Sequence, residues 1–535
     1  RRPGHPSSQD FPVRSRSHAD CLGPAAVDTE NVHVFSRRKF TIDCYLANID
    51  DNRMGFTGID YAVLAVFLAC NVFLGTWLGR GQKTINEYFL AGKRVPMWAI
   101  SLSIVATETS SLTFIGAPAI AYTGNLTFLQ LAFGYIIGKL LVSFLLMPGY
   151  FKGEIQTAYQ LLQARFGRAV RTVASVLFLT TRGLSDGVRL LATGLVLAAI
   201  TDMTDLTTMA IIGLITIVYT YFGGMRAVIW TDVVQLFIYL AGAIVAFFLL
   251  LDKIPGGWAE VTAVAAPLNK FQILDFTFDV SRTFTFWAGI VGGAFLTFAT
   301  HGSDQMMVQR YLASGSKRDS QVALILSAII VFFQFVLFLV IGVMLFAFYR
   351  HFPPAQAIRQ ADQVFPLFIV NHMPTGLSGL VVAAVFAAAM STLSSCLNSL
   401  SSATTNDFYR VYLVPQASDA HYFRMSRFFT LIWGAILVAV SMLARNWGSV
   451  LLAGLTIQSI TMGSILGIFL LGMGRRARQS AALTGMIAGL ATTLFVHFSG
   501  WVALTWYTLI GTSVTLGVGW LVSRATRLFG QNEQD

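Results

Sequence analysis

Long apolar segments, separated by charged breaks or breaks rich in Gly and Pro, constrain this chain most. A bilayer core about 30 Å thick needs roughly 20 apolar residues per helix, and about thirteen segments meet that requirement. They lie at 58–79, 98–122, 126–150, 170–200, 205–223, 231–252, 284–302, 319–349, 376–403, 423–444, 448–473, 481–500 and 502–522. None shows the long alternation of apolar and polar residues that is typical of membrane barrels. The sequence therefore predicts an all-α polytopic membrane protein.

Composition and charge agree with a protein embedded in a lipid bilayer. Of 535 residues, 55% are hydrophobic and only 12% are charged, which is unlike a soluble domain. The formal net charge is +11. Most Lys and Arg residues fall in connections on one side if the first span runs inward, as the positive-inside rule requires. This pattern predicts an outside amino terminus, a cytoplasmic carboxyl terminus and a place in the cell membrane, and it gives no reason to expect nucleic-acid binding.

The stretch 1–53 departs from this charge pattern because it would place several Arg residues outside the cell. It begins with Arg and has no hydrophobic signal-peptide core. Met54 is followed at once by "GFTGIDYAVLAVF", a clear start to the first span. We expect the native protein to start at Met54, with 1–53 as a non-native extension; a disordered native tail is the alternative.

The segment "AAAMSTLSSCLNSLSSATT" carries a row of hydroxyl groups inside an apolar span. Ala388, Ser391, Thr392 and Ser395 are spaced to share one helix face, with Ser394 beside it. Such side chains can bond back to their own helix and allow close packing. Four or five on one face also form a row of neutral oxygens that could replace the water shell of Na⁺, whereas zinc would need Cys or His.

A second unusual span is "SLSIVATETSSLTFIGAPAIAYTG", which places Glu108 in a cluster of hydroxyl residues. This cluster is costly in lipid, so we expect a local unwinding that exposes carbonyls and helix ends to a cavity. The alternative is an intact helix with Glu108 paired to an Arg. Another break is expected within 289–302, where tight packing through Gly289 and Gly293 is the alternative. Interrupted helices in both halves of a chain are typical of secondary transporters.

Several motifs resemble the sodium:solute symporters, and the resemblance covers most of the chain from about Gly58 to Gly474. They are "NEYFLAGKRVPMWAISLSIVATETSSLTFIG", "YTYFGGMRAVIWTDVVQ", "SDQMMVQRYLA" and "STLSSCLNS" followed by "TNDFYR". The resemblance implies the five-plus-five inverted-repeat fold of LeuT type. Residues 54–97 would be an extra first helix and a cytoplasmic loop, 98–474 the transporter core, and 475–535 two additional helices and a short tail. Core helix one would be Trp98–Tyr122 and core helix six Phe284–Gly302.

The resemblance also implies a sodium site. Backbone carbonyls of Ala106 and Thr109 in core helix one and of Ala388 in core helix eight would bind Na⁺. Hydroxyls of Ser391 and Thr392 would complete the shell.

Some family members hold a second sodium between an Asp and serines of core helix eight. Asp186 resembles that Asp, and Ser391, Ser394 and Ser395 resemble those serines. An ion pair of Asp186 with Arg182 or Arg189 is the alternative.

The solute pocket implied by the resemblance differs from that of sugar carriers. Thr300 and His301 stand where sugar carriers have aromatic residues, Thr113 replaces a polar or basic sugar contact, and only Gln130 lies near the position of an acidic one. "FIGAPAIAY" is nearer to the branch that carries carboxylates, iodide and vitamins. Arg182, Arg189 and Lys139 could serve an anion or pair with Asp186 and Glu108. The predicted pocket comprises Glu108, Ser110, Ser111, Thr113, Gln130, Thr300, His301 and Gln458.

These features together predict a sodium-coupled symporter that imports a small organic solute by alternating access, with Na⁺ as the coupling ion and a carboxylate or other non-sugar solute as cargo. A proton-coupled or uncoupled permease of the same fold and a sodium/sugar symporter are the alternatives. A membrane enzyme is disfavoured because the chain lacks a His-Glu-x-x-His motif. A channel is disfavoured because no filter sequence is evident.

Overall fold

The computed structural model describes residues 56–201, 203–354, 358, 361–444, 450–474 and 477–531. The chain divides into two units, 1–49 and 50–535, and every described residue lies in the second. The predicted extension 1–53 and the predicted start at Met54 therefore lie outside the described residues. Within the described ranges the chain forms helices and turns without β-strands.

The described α-helices are named in chain order, with their bounds as follows. They are α1 Gly58–Leu78, α2 Ile85–Leu90, α3 Met97–Glu108, α4 Ser111–Thr123, α5 Leu126–Tyr150, α6 Ala158–Phe166, α7 Arg168–Thr201, α8 Asp205–Lys253, α9 Gly257–Ala265, α10 Gly293–Gly302, α11 Gln305–Leu312, α12 Lys317–His351, α13 Val364–His372, α14 Leu377–Ala403, α15 Asp419–Leu443, α16 Val450–Met473, α17 Gln479–Ser499 and α18 Tyr507–Gln531. Shorter 3₁₀ and π segments join some of them; α14 continues as the π-helix Thr404–Leu413.

Membrane-spanning capacity follows from helix length and apolar composition. Eight helices of the described part are long and apolar enough to cross a bilayer, or up to nine if a bent pair forms one span. That pair joins Ile85–Lys93 to Met97–Glu108 at 111°. The chain is thus a multi-pass, all-helical membrane protein. The number of about thirteen spans and the five-plus-five repeat stay predictions.

Helix α8 contains both of the spans expected at 205–223 and 231–252. Its 49 residues would extend about 74 Å if straight, far beyond a bilayer core of about 30 Å. The direction changes at Gly224, which has φ 53° and ψ −152°. A Cβ there would lie 2.5 Å from the carbonyl oxygen of Tyr88, so only glycine fits this bend.

The first predicted helix break is confirmed. Helix α3 ends at Glu108, Thr109 and Ser110 are extended, and α4 begins at Ser111. The Ser110 hydroxyl caps α4 by accepting a bond from the backbone N–H of Thr113. The cluster of polar residues after an apolar run therefore does interrupt the span.

The second predicted break is wrong, because the chain stays helical from Ala288 to Gly302. It passes through a π-turn at Ala288–Gly292 and continues directly into α10. A Cβ on Gly289 would lie 2.6 Å from the backbone carbon of Gln130, and one on Gly293 would lie 2.9 Å from the carbonyl oxygen of Leu131. These glycines allow close helix packing against α5, which was the alternative reading.

Helix α14 lies at the centre of the described helices. In its most apolar stretch, 94% of the residues are buried inside the protein. It packs against α1, α3, α4, α7, α8 and α15. The predicted hydroxyl row therefore faces protein on all sides.

Candidate functional site

A small cavity of about 10 Å³, space for about one water molecule, lies at the interruption between α3 and α4, where α7 and α14 approach it. Its lining comprises Ser110, Ser111, Asp186, Arg189, Leu190, Thr193, Ala389, Thr392 and Leu393. The break supplies the first two residues, α7 the next four and α14 the last three. The structure thus brings members of three predicted sets, for Na⁺, for a second Na⁺ and for solute, to one cavity.

The cavity combines hydroxyl groups with a guanidinium. Ser111 and Thr193 hydroxyls lie 2.5 Å apart and join the break to α7. Arg189 is 17% exposed and donates from Nη1 to Asp186 Oδ1 at 2.9 Å. No other hydrogen bond from its guanidinium occurs among the described residues, although the group carries five donors. Arg189 can therefore bind a further acceptor in the cavity.

The predicted sodium ligands come from the break and from α14. Thr113 N–H donates to Ser110, so the Thr109 carbonyl lies outside the helical ladder. The Thr392 hydroxyl lines the cavity and donates weakly to the Ala388 carbonyl at 3.3 Å. Helix α14 packs against both α3 and α4. A freed carbonyl and a weakly engaged hydroxyl are groups that suit a hard cation such as Na⁺.

The other hydroxyls of the row have firm partners. Ser394 and Ser395 donate back to the Ser391 carbonyl at 3.1 and 2.7 Å. Ser391 donates instead to Asp232 Oδ1 on α8 at 2.6 Å. Back-bonding, the alternative reading of the sequence, thus accounts for part of the row.

Asp232 is the carboxylate that accepts a hydrogen bond from the serine row. Asp232 is fully buried, and its Oδ2 accepts from Ser103 at 2.6 Å and from Arg310 at 2.9 Å. Arg310, on α11, also contacts the Ser395 hydroxyl. Asp186 makes no direct hydrogen bond with Ser391, Ser394 or Ser395 among the described residues, but it lines the cavity with Thr392 of the same helix. A sodium ion between Asp186 and these serines therefore stays a prediction.

Asp186 belongs to a row of four alternating charges. Arg189 contacts its Oδ1 at 2.9 Å, and Arg182 Nη1 lies 3.5 Å from its Oδ2. Arg182 also donates from Nε to Asp304 Oδ2 at 2.8 Å. Asp304 is the N-cap of α11, since its Oδ1 accepts from the Met306 backbone N–H. Two carboxylates and two guanidiniums make the row neutral.

Glu108 lies at the end of α3 in a separate buried charge cluster. Lys139 Nζ on α5 contacts Glu108 Oε1 at 2.7 Å, and His301 Nε2 on α10 contacts the same atom. Lys139 also donates to Ser327 at 3.0 Å. The structure brings Glu108 and His301 together as predicted, but neither lines the cavity, and the partner of Glu108 is Lys139 rather than an Arg.

The remaining predicted solute contacts lie apart from the cavity lining. Gln130 is bound by backbone groups, accepting from Asp275 N–H at 2.9 Å and donating to the Phe284 carbonyl. The Thr300 hydroxyl donates to the Leu296 carbonyl, and the Thr113 hydroxyl bonds with Ser110. Gln458 is half-buried on α16. These four do not meet in this cavity.

Two side chains at or near the site, Thr193 and Asp232, were not among the residues predicted from the sequence. Thr193 has no sequence signal beyond being a hydroxyl in a span. Asp232 stands in the quoted motif "WTDVVQ", where an acid within an apolar span was the available signal. The sequence allows Arg189 either to bind an anion or to pair with Asp186, and the structure places it in the cavity, paired with Asp186.

Comparisons with known proteins agree with this architecture. The sequence model of the sodium:solute symporter family matches residues 88–489. A sodium/sialic acid symporter of Aliivibrio fischeri is 30% identical over 88% of this chain and 93% of that protein. The human sodium/iodide cotransporter is 30% identical over 82% of this chain and 70% of that protein.

A solved structure is similar as well. A substrate-bound, outward-open Na⁺-coupled sialic acid symporter superimposes with a TM-score of 0.82 and 30% identity, covering 88% of this chain and 98% of that one. The sequence match and the structural match therefore both extend over most of this chain. The matched family model, the relatives and the helical membrane architecture together show that this chain belongs to the sodium:solute symporter family, whose members are Na⁺-coupled carriers of small solutes.

Proposed function

We propose that this protein imports a small organic anion, with a carboxylate as the favoured class, together with Na⁺ by alternating access. The observation that supports this most is the shared cavity of Arg189 and Thr392. Arg189 offers an anion-binding group, and Thr392 belongs to the predicted Na⁺ shell with Ala106, Thr109, Ala388 and Ser391. Both groups lie beside the interrupted helix.

Charge balance gives the physical reason for coupling. The row Arg189, Asp186, Arg182 and Asp304 is neutral, so an anion bound alone would leave an uncompensated buried charge. Buried charges are costly unless they are paired. A sodium ion at the neighbouring wall restores neutrality, and each ion therefore favours binding of the other.

The site and the relatives both support an anion as the solute. Two relatives are named for an acid and for a halide anion. Guanidinium binds a carboxylate with two parallel hydrogen bonds, which makes carboxylates the better fit to Arg189. No aromatic side chain of the described residues lines the cavity, although aromatic residues are common in sites that bind sugar rings. A sodium/sugar symporter is therefore the weaker candidate.

The wider arrangement is proposed on the charge pattern and the family resemblance. The amino terminus would lie outside and the carboxyl terminus in the cytoplasm. Residues 54–97 would precede the transporter core 98–474, and the helices of 475–535 would follow it.

Uptake into proteoliposomes tests this proposal. We expect lactate or sialic acid to accumulate under an inward Na⁺ gradient, with glucose transported at least tenfold more slowly. Replacing Na⁺ by choline at fixed membrane potential should abolish uptake. Uptake that follows a proton gradient, or that persists unchanged in choline, would identify a proton-coupled or uncoupled permease instead.

Beside the predicted position at Asp186, Asp232 offers an alternative place for a second sodium ion. Asp232 Oδ2 already accepts from Ser103 and Arg310, whereas Oδ1 accepts only the Ser391 hydroxyl among the described residues. An ion at Oδ1 would use this less occupied oxygen and the Ser391 hydroxyl. Ser391 would then contribute to both sodium sites.

Stoichiometry tests the second site. We expect two Na⁺ per solute in the intact protein and one in Ser391→Ala at saturating Na⁺, where the first site keeps Ala106, Thr109, Ala388 and Thr392. The ratio is measured from the reversal potential of solute flux under fixed gradients. Each charge moved through about 100 mV contributes about 2.3 kcal/mol, so the two ratios give well-separated reversal potentials. Ser399→Ala is the matched control, because Ser399 is buried on α14 and donates to the Cys396 carbonyl. A one-to-one ratio in the intact protein, or an unchanged ratio in Ser391→Ala, would contradict the second site.

A further inference from the structure

The charge row that begins in the cavity ends on α11, the short helix between α10 and α12. Arg189 and Asp186 line the cavity, and Arg182 joins Asp186 to Asp304. Asp304 caps α11 at one end, and Arg310 near its other end binds Asp232 at 2.9 Å. Every residue of α11 is buried. One small helix is therefore anchored both to the cavity and to the serine row.

The bonds along this row are unequal. Arg189 Nη1 holds Asp186 Oδ1 at 2.9 Å, whereas Arg182 Nη1 lies 3.5 Å from Asp186 Oδ2. Arg182 binds Asp304 more closely, through Nε at 2.8 Å and also through Nη2. The closest ion-pair partner of Asp186 is therefore Arg189, and that of Arg182 is Asp304.

We propose that Asp186 is an internal substitute for the solute's carboxylate. Asp186 binds Arg189 while the cavity is empty, and its displacement by the solute transmits solute binding to α11. This inference rests on the proposed anion symport and adds how the site selects its solute. Arg189 has other donors, but two carboxylates beside its single positive charge would leave one of them uncompensated, so an anion competes with Asp186 for the guanidinium. A neutral solute lacks the charge that displaces a buried carboxylate, so Asp186 excludes it.

Displacement has a second consequence along the row. Once the solute holds Arg189, Asp186 keeps only Arg182 as its cationic partner. Asp186 then competes with Asp304 for the same guanidinium, and the attachment of the α11 N-cap to α7 weakens. Solute binding thereby loosens the connection between α10 and α12 without any direct contact between solute and α11.

The binding test uses Asp186→Asn, which removes the competitor but keeps the side-chain size. In this variant Arg189 is free to bind an anion in every molecule, whereas in the wild type Asp186 occupies it in most molecules. We therefore expect lactate and sialic acid to bind about fivefold more tightly in Na⁺. Transport should slow at the same time, because the neutral amide of this variant cannot draw Arg182 away from Asp304. Asp252→Asn, at an exposed position near the end of α8, is the matched control and should leave both quantities unchanged.

Hydrogen exchange of the peptide covering α11 tests the transmission without depending on the solute. In Na⁺ alone, the amide hydrogens of α11 should exchange more slowly in Asp186→Asn than in the wild type, because Arg182 then forms an ion pair with Asp304 only. In Asp304→Asn the same amides should exchange faster, because the ion pair with Arg182 is lost although Asn remains a good N-cap. This second variant keeps the test available if Asp186→Asn does not fold.

Three results would overturn the inference. They are weaker anion binding in folded Asp186→Asn, exchange in α11 that equals the wild type in both variants, and tighter binding accompanied by faster transport. Failure of the wild type to bind any acidic probe would instead reject the proposed anion function. The exchange comparison in Na⁺ alone would still decide whether the charge row controls α11.

Discussion

Replacing Arg189 by Gln should lower Na⁺-driven uptake of lactate or sialic acid by about 100-fold or more. Removing one partner of a buried charge pair costs about 2–5 kcal/mol, and each 1.4 kcal/mol is tenfold in binding. The loss should appear as weaker solute binding, measured by equilibrium binding to the purified protein in Na⁺. Folding should persist because Asp186 retains Arg182 as a partner.

The matched control for this substitution is Arg282→Gln. Arg282 is 53% exposed and forms a surface ion pair with Asp275, a kind of pair that contributes little. Uptake by the Arg282→Gln protein should stay within about twofold of the wild type, because exposed ion pairs contribute roughly 0–1 kcal/mol. If Arg189→Gln also binds the acidic probes normally, the anion site must be sought elsewhere, and the Glu108, Lys139 and His301 cluster would be the next region to examine.

Replacing Thr392 by Ala should raise the Na⁺ concentration needed for half-maximal uptake by about tenfold or more. Loss of one oxygen ligand leaves the ion underbound, at a cost of about 1–3 kcal/mol. The maximal rate at saturating Na⁺ should change less than the apparent Na⁺ affinity. Uptake measured over a range of Na⁺ concentrations, with choline as the replacement cation, gives both quantities.

Ser402→Ala provides a comparison on the same helix. Ser402 is buried on α14, lies beyond the cavity lining and receives contacts from Asn406 and Gln305. Its Na⁺ dependence should match the wild type within about twofold, because the substitution removes a neutral hydrogen bond worth about 1 kcal/mol or less from a different region. Normal Na⁺ dependence in Thr392→Ala would remove this hydroxyl from the sodium shell.

The class of fold and the position of the interrupted helix could be predicted from the amino-acid sequence. Apolar segments of bilayer length must form helices, because lipid offers no partner to free backbone groups. Glu108 followed by Thr109, Ser110 and Ser111 marked the break, since these side chains disfavour a continuous apolar helix. The motifs also indicated the family, which the comparisons confirmed.

The tertiary structure alone decided which charged groups face one another. Helical spacing shows that Ser391 and Ser395 share a face, but it does not fix how α14 is rotated against α7 and α8. Ser391 therefore bonds with Asp232, 159 positions away in the sequence, while Asp186 turns to Arg182 and Arg189. The same packing decided that Gly289 and Gly293 serve close contact rather than a break. Periodicity fixes the face of a single helix, whereas pairing between helices depends on packing distant parts of the chain together.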